Sequence, residues 1–189
     1  MPANSIQELV ALAKAKPGTL TYGSMGTSSQ INFEALNQQL GTDFTHIPYK
    51  GAAPAVTDLL AGQISMMMVT PLLVEQHARA GKLKLVAAAT PHRIARLPEL
   101  PTVAESGAPG YEAGTWFGML GPANMPEPLV MQIYADTMQV LNDANFREQY
   151  VTRQWFQVVG NTPADFAVQL KAEHARWGDT IRRVGMKPE

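Results

Sequence analysis

The chain has 189 residues, of which 46% are hydrophobic and 16% charged, and its formal net charge is -1. This length is large for one domain and small for two, and the balanced charge provides no broad basic surface for nucleic acid or anionic lipid. The sequence contains no cysteine, which excludes disulfides, a thiolate nucleophile and cysteine-based metal sites.

The first part of the chain is predicted to run helix, strand, loop, helix. A capping-box pattern that begins at Ser5 predicts a helix over residues 5–16. A short strand at 20–22 follows, and then a loop rich in glycine and hydroxyl side chains at 23–29. The helix after this loop is expected to end at Gly41, which can adopt a left-handed conformation.

Strands and helices continue to alternate in the middle of the chain. Strands are predicted at 43–48, 64–69 and 83–89, and helices at 54–61 and 71–80. Strands that alternate with helices of about ten residues are typical of βαβ units, and unbroken apolar runs favour strands covered on both faces. The predicted fold class is therefore α/β, with a mostly parallel sheet flanked by helices.

The last part of the chain has a different pattern. The proline- and glycine-rich stretch 90–114 is expected to cross the surface as an ordered connector. Beyond it, strands are predicted at 115–120 and 155–159, and helices begin near Pro126 and Pro163. Two strands rarely make a sheet that covers both faces of a core, so this tail is expected to be a poor domain by itself.

The loop at 23–29 is the first candidate binding site. Glycines let backbone N–H groups approach a ligand, and a helix N-terminus carries partial positive charge, so such a loop can hold a carboxylate or phosphate. The loop lacks the lysine of a P-loop and the third glycine of a dinucleotide fingerprint. An ordinary turn with a capping serine is the structural alternative, and spacing leaves both open. The loop residues are Gly23, Ser24, Met25, Gly26, Thr27, Ser28 and Ser29.

The second candidate is Thr70, which follows the apolar stretch 64–69. In open α/β sheets, ligands bind at the carboxyl ends of strands. The sequence favours a structural role, with Thr70 as helix N-cap and Pro71 at the first helical position, and this role is compatible with binding.

Three further side chains that could take part in acid–base chemistry lie in the segment His46 to Gly51. They are the imidazole of His46, the phenol of Tyr49 and the amine of Lys50. Strand alternation places His46 on one face and Tyr49 on the other, so they are not expected to act as an acid–base pair, and a structural role is favoured.

Trp116 and Phe117 are neighbours in a predicted strand and therefore point to opposite faces. One is expected to roof a cleft while the other packs in a core.

The sequence offers no pattern for catalysis, a metal or a cofactor. Its four histidines are isolated, and none forms a His-x-x-x-His pair. There is no G-x-S-x-G element for a serine nucleophile. We therefore expect a non-enzymatic protein with no metal and no cofactor.

A series of short motifs nevertheless occurs in a specific order, and together the motifs resemble the Bug (TctC) family, the extracytoplasmic solute-binding receptors of tripartite tricarboxylate transporters. The resemblance extends from the first helix to the last residues. The motifs are Leu20-Thr21-Tyr22-Gly23-Ser24, His46-Ile47-Pro48-Tyr49-Lys50-Gly51, Thr57-Asp58-Leu59-Leu60-Ala61-Gly62-Gln63, Ala80-Gly81-Lys82-Leu83, Leu100-Pro101-Thr102-Val103-Ala104-Glu105-Ser106-Gly107, Gly110-Tyr111-Glu112 and Trp116-Phe117-Gly118.

The resemblance implies a fold like that of type II periplasmic binding proteins, with two lobes that trap a small mono- or dicarboxylate and pass it to membrane permease subunits. It implies that residues 1–118 form the second, ligand-binding lobe and that 119–189 form the C-terminal part of an incomplete first lobe. It also implies a periplasmic location, although the start of this chain shows no signal-peptide pattern. The unpaired half of the first lobe is expected to be covered by dimerisation or segment exchange.

The resemblance assigns individual roles as well. The loop at 23–29 matches the family's second-lobe carboxylate loop, in which Met25 stands where smaller or polar residues are common. Thr70 matches a position that commonly carries a polar, often acidic, contact, and threonine there argues against an amine-bearing solute. Trp116 and Phe117 match the return crossing near the hinge, where they would form a wall of the cleft.

Two other functions stay open at this point. An α/β enzyme could use the loop at 23–29 as an anion hole, and a histidine or carboxylate that converges on Ser24 or Ser29 would favour it. A solute-sensing module that is not coupled to transport has the same sequence requirements as a transport receptor.

Overall fold

The computed structural model describes residues 2–185, which form two compact units. The first unit comprises 2–115 together with 180–185, and the second comprises 116–179. Every described residue that is fully shielded from solvent belongs to the first unit. The candidate loop at 23–29 and Thr70 lie in this first unit.

The first unit alternates helices and short strands, as predicted. Its first helix begins where the sequence indicates, because the Ser5 hydroxyl accepts a hydrogen bond from the Glu8 N–H at 3.1 Å. The elements are α1 (Ile6–Ala15), β1 (Thr21–Ser24), α2 (Thr27–Leu40), β2 (Thr45–Pro48), α3 (Ala52–Leu60), β3 (Met66–Met67) and α4 (Pro71–Arg79).

The three strands form one parallel sheet in the order β2, β1, β3. In the central strand, Tyr22 pairs with His46 on one side and with Met66 on the other. The predicted α/β class with a parallel sheet is confirmed. The third strand is shorter than predicted, since only Met66 and Met67 of the stretch 64–69 pair with β1.

The core lies between the sheet and the helices. Tyr22 is completely buried, and its ring stacks on Phe33 of α2 with ring centroids 4.2 Å apart. Burial, together with a hydrogen bond to Glu34, raises the pKa of the Tyr22 hydroxyl well above its usual range. A second cluster of buried residues contains Ile6 and Leu9 of α1.

The second half of the stretch 90–114 contributes to this core, so the expectation that the stretch crosses the surface is wrong for these residues, whereas residues 90–101 include no buried residue. Val103, Ala108 and Tyr111 are buried in the same cluster as α1. The predicted strand at 83–89 does not form a ladder either. Its Ala88 makes only a single parallel bridge, to Thr102. An apolar run shows that a segment is covered, but a strand also needs a neighbouring backbone to pair with, and among the described residues this stretch lacks one for most of its length.

The second unit is helical in its regular parts. The strands predicted at 115–120 and 155–159 are irregular and mostly exposed, so these two predictions are wrong. Pro126 is the residue that precedes the first helix of this unit rather than its first helical residue. The elements are α5 (Glu127–Asn142), α6 (Ala144–Phe146), a π-helical turn (Arg147–Val151), a 3-10 turn (Thr152–Gln154) and α7 (Pro163–Val184), whose last turn belongs to the first unit.

Candidate functional site

The parallel sheet brings three loops to one edge of the first unit. Because β1, β2 and β3 run parallel and each is followed by a helix, the N-termini of α2, α3 and α4 lie at the carboxyl ends of the strands. We call the connecting loops, residues 24–29, 48–51 and 68–71, the carboxyl edge. Tyr49 N–H donates to the Ser24 carbonyl at 2.8 Å, which joins the first two of these loops.

The helices that begin at the carboxyl edge share an unusual chemistry. None of α2, α3 and α4 has a side-chain N-cap hydrogen bond or an acidic residue in its first turn. Other helices of the described chain have one or both features, namely the cap Ser5 of α1, the cap Asp143 of α6, and the first-turn acids Glu127 of α5 and Asp165 of α7. The carboxyl edge therefore presents positive helix ends whose first N–H groups are neither bonded by a capping side chain nor neutralised by a first-turn acid.

The turn between β1 and α2 is held by its own residues. The Ser29 hydroxyl accepts a hydrogen bond from Met25 N–H at 2.8 Å and donates one to the Gly26 carbonyl at 2.9 Å. Gly26 has φ 132° and ψ 174°, a backbone conformation that is almost restricted to glycine. Ser29 thus stabilises the turn, while Thr27 and Ser28 in the first turn of α2 are exposed.

Gly23 is needed for packing rather than for close approach to a ligand. It is buried, and a Cβ atom at this position would lie 2.7 Å from Ile64 Cδ1 and 3.3 Å from the Tyr49 ring. The space above Gly23 is therefore filled by neighbouring side chains. Met25, two residues further on, is half-buried.

The structure brings Ser24 and His46 together, which sequence reasoning missed. Ser24 Oγ and His46 Nε2 lie 2.6 Å apart, and Ser24 is only 2% exposed. Alternation along single strands placed His46 relative to Tyr49 but could not reveal the register between β1 and β2. A histidine on Ser24 was the observation expected for an enzyme. However, burial shields Ser24 from a substrate, and the Glu34 carboxylate accepts a hydrogen bond from the Tyr22 hydroxyl.

Thr70 lies at the carboxyl edge directly before α4. It occupies the N-cap position, as predicted, but its side chain makes no capping hydrogen bond. The residue is exposed, and within residues 2–185 no hydrogen bond of its hydroxyl is found. This side chain is available to a ligand.

Trp116 and Phe117 belong to the second unit and are not in a strand. Trp116 is 38% exposed and packs edge-to-face on Phe166, with centroids 5.3 Å apart. Phe117 is 79% exposed and makes a similar contact with Phe156 at 5.4 Å. Neither ring packs in a core, so the expected division between a cleft face and a core face is wrong.

Two other kinds of feature are absent from the described residues. Across residues 2–185, no group of three or more histidine or acidic side chains is arranged to hold a metal ion. The same residues contain no helix with both the length and the apolar character required for a membrane span.

A shallow groove of about 650 Å³ on the second unit is lined by Asp136 and Asp143, whose charges do not suit an anion.

Comparison with known proteins places the chain in a family. Residues 1–186 match the family described as tripartite tricarboxylate transporter family receptor, TctC. Protein BugT of Bordetella pertussis is 27% identical over 186 residues, which cover 97% of this chain and 57% of BugT. This chain thus spans little more than half the length of that relative.

Two solved structures from Rhodopseudomonas palustris show the same fold. Rpa4515 with adipate matches at a TM-score of 0.81 with 27% identity, covering 100% of this chain and 64% of that one. MatC with bound malate matches at a TM-score of 0.74 with 25% identity, covering 95% and 63%. The family resemblance that the motifs indicated is confirmed, and this chain belongs to the tripartite tricarboxylate transporter receptor family.

Proposed function

We propose that this chain is part of a non-enzymatic receptor that binds a small mono- or dicarboxylate at its carboxyl edge. The observation that carries the proposal is the set of three helix N-termini, α2, α3 and α4, that lack both a side-chain cap and a first-turn acid. Such ends attract anions and offer unpaired N–H donors. Family membership and the adipate and malate of the two similar structures support a carboxylate as the anion.

The loop residues divide into two roles under this proposal. Gly23, Ser24 and Ser29 maintain the shape of the turn through the contacts described above. The N–H groups that follow Gly26, with the exposed hydroxyls of Thr27 and Ser28, contact the carboxylate directly. Four further residues belong to the proposed site. Thr70 adds a hydroxyl from the loop after β3, and the Met25 side chain limits the space available to the solute. Trp116 and Phe117 stay predictions from the family resemblance.

A charge introduced beside the N–H groups of α2 tests the proposal. Ser28→Asp places an acid in the first turn of α2, where it should stabilise the helix by about 0.3–1 kcal/mol but repel a carboxylate. Ser28→Asn has nearly the same shape without the charge and is the matched control. Binding of adipate and malate is followed through the backbone N–H resonances of residues 27–29 in ¹H–¹⁵N spectra.

We expect affinity to fall at least about tenfold in Ser28→Asp relative to Ser28→Asn, which corresponds to about 1.4 kcal/mol. The unfolding midpoint of Ser28→Asp should be equal to or higher than that of the control. Equal affinity of the two folded variants, or ligand-induced shifts confined to other parts of the chain, would contradict a site at α2.

We also propose a role and location for the whole protein. The family match supports transfer of the solute to membrane permease subunits of a tripartite tricarboxylate transporter in the periplasm. In this proposal, residues 1–118 act as the second lobe and residues 119–189 as the C-terminal part of the first lobe. The burial of Ser24, which shields this residue from a substrate, supports binding without catalysis.

The second unit supports a further proposal about partners. Phe117, Met119, Leu120, Val159 and Val168 are all at least two-thirds exposed. Exposed apolar surface of this kind favours association, and we propose that two copies cover it by dimerisation or segment exchange. Light scattering after size separation should give the mass of a dimer. A monomer across a range of micromolar concentrations would argue against this.

A further inference from the structure

We propose that His46 is a positioning residue for the anion-binding turn and that it acts through the Ser24 hydroxyl. This inference rests on the proposed function, because the turn matters only if a carboxylate binds at the carboxyl edge. His46 itself is not among the groups that contact the solute. Its role is to keep the start of α2 in the orientation that binding requires.

The imidazole of His46 has a fixed place on the sheet. In the parallel register, His46 lies opposite Tyr22 and Pro48 lies opposite Ser24. The His46 ring stacks on the Tyr22 ring with centroids 5.1 Å apart and planes at 30°. Tyr22 in turn is held by its stack on Phe33 and by a hydrogen bond from its hydroxyl to Glu34 at 2.6 Å. The stack directs the imidazole along the strand toward Ser24.

Ser24, the last residue of β1, is hydrogen-bonded to His46 of β2 and to Tyr49 directly after it. Its Oγ lies 2.6 Å from His46 Nε2, and its carbonyl accepts the Tyr49 N–H at 2.8 Å. Both its side chain and its backbone are thus bonded to residues of the β2 segment. Ser24 as a whole is only 2% exposed, so water has little access to its hydroxyl and does not take the place of the imidazole unless the turn opens.

The turn after Ser24 connects the position of Ser24 to the orientation of the first N–H groups of α2. Met25 is bonded through its N–H to Ser29, and Ser29 is bonded to the Gly26 carbonyl. The direction of the N–H groups of residues 27–29 therefore depends on how Ser24 is held. Anion binding by backbone N–H groups is sensitive to direction, so a loosened Ser24 should weaken binding before it affects the fold.

Two substitutions at His46 separate the roles of its nitrogen and its ring. His46→Phe keeps an aromatic ring on Tyr22 but loses Nε2, whereas His46→Gln keeps a nitrogen at a similar reach and loses the ring. Ser24→Ala removes the hydroxyl, and the double variant Ser24→Ala with His46→Phe tests whether the two residues act together. The probe is adipate, measured through the N–H resonances of residues 27–29, with thermal unfolding measured on each variant.

We expect His46→Phe to weaken adipate binding about fivefold, the size expected for one misplaced hydrogen-bond donor. His46→Gln should recover most of that loss although it lacks the stack. Ser24→Ala should bind as weakly as His46→Phe, and the double variant should be no weaker than either single one. If His46 merely stabilised the fold, the adipate affinities of the variants would instead change in parallel with their unfolding midpoints. In that case His46→Gln would not recover affinity.

The outcomes distinguish the inference from the proposed function. If the unaltered chain binds neither adipate nor malate at α2, the proposed function is wrong and the role of His46 falls with it. If the unaltered chain binds and folded His46→Phe binds equally well, only the role of His46 is wrong. If His46→Phe does not fold, Ser24→Ala decides alone, since unchanged adipate affinity in that variant overturns the inference.

Discussion

Gly26 and Gly51 occupy equivalent positions, each directly before a helix at the carboxyl edge, but their backbones differ. Gly26 has φ 132°, in the region that side chains rarely adopt, whereas Gly51 has φ 163° and is extended. At neither position would an added Cβ meet another atom within 4 Å. The two glycines therefore differ in φ although both leave room for a Cβ, which makes them a matched pair.

We expect Gly26→Ala to lower the free energy of unfolding by about 1–3 kcal/mol, because alanine is strained in this conformation. Gly51→Ala should change it by less than about 0.5 kcal/mol, as for a surface substitution without strain. Urea unfolding followed by circular dichroism measures both. Equal losses in the two variants would show that the φ of Gly26 does not cause the effect.

The residues of the turn also show what a single sequence can reveal about a site. The hydroxyl and glycine content of residues 23–29 is compatible with an anion-binding loop and with an ordinary turn, and it does not separate side chains held by internal contacts from exposed ones. That separation depends on partners such as Ile64 beside Gly23 and His46 beside Ser24, which are about 20 to 40 positions away. Sequence spacing does not encode the register that brings such partners together.

The connector that follows the sheet is ordered by a reciprocal pair of hydrogen bonds. Thr102 N–H donates to the Glu105 carboxylate at 2.8 Å, and Glu105 N–H donates to Thr102 Oγ1 at 3.1 Å. Arg93 Nε donates to the same carboxylate at 2.9 Å. The backbone bond from Thr102, and after it the bond from Arg93, hold the pKa of Glu105 below its usual value.

This pKa predicts how stability depends on pH. Because the pKa is lower in the folded chain, the stabilisation is complete above the usual value of 4.5 and is lost as the pH falls through the lower folded value. Glu105→Gln should therefore be less stable than the unaltered chain near neutral pH, and the difference should shrink on acidification to about pH 3. Urea midpoints at the two pH values provide the measurement.

Glu99 supplies the control for this prediction. It is an exposed glutamate of the same connector, and no hydrogen bond of its side chain is found within residues 2–185. Glu99→Gln should leave the urea midpoint nearly unchanged at both pH values. A gap between Glu105→Gln and the unaltered chain that persists in acid would mean that the carboxylate charge does not stabilise the connector.

Buried residues are distributed unequally between the two units. The described residues that are shielded from solvent belong to the first unit, and within residues 116–179 none is fully buried. Helices α2 and α5 illustrate the contrast, since α2 contains Ile31, Phe33, Leu36 and Asn37 as buried residues and α5 contains none. Local stability depends on such buried contacts more than on helix length.

Hydrogen exchange should reveal this inequality. We expect the N–H groups of α5 to exchange much faster than those of α2, although α5 has 16 residues and α2 has 14. Mass spectrometry of peptides after exchange near neutral pH makes the comparison. Similar protection of the two helices in a monomeric sample would show that α5 is stabilised by contacts that burial does not record.

Local sequence signals and ordered motifs were sufficient to predict the alternation of elements, the α/β class and the family of this protein. These features depend on local signals such as the cap Ser5 and the left-handed Gly41, and on an ordered series of motifs. Tertiary structure alone decided which apolar runs became strands. Residues 83–89, 115–120 and 155–159 have strand-like sequences, but strand formation requires a paired backbone, and pairing is a property of distant segments.

Tertiary structure also decided the chemistry of the candidate site. The parallel order of β2, β1 and β3 is what gathers three uncapped helix ends at one edge, and the register between β1 and β2 is what sets His46 against Ser24. Local sequence specifies what each residue can donate or accept. Only the packing of the sheet determines which of those groups are bonded internally and which stay exposed.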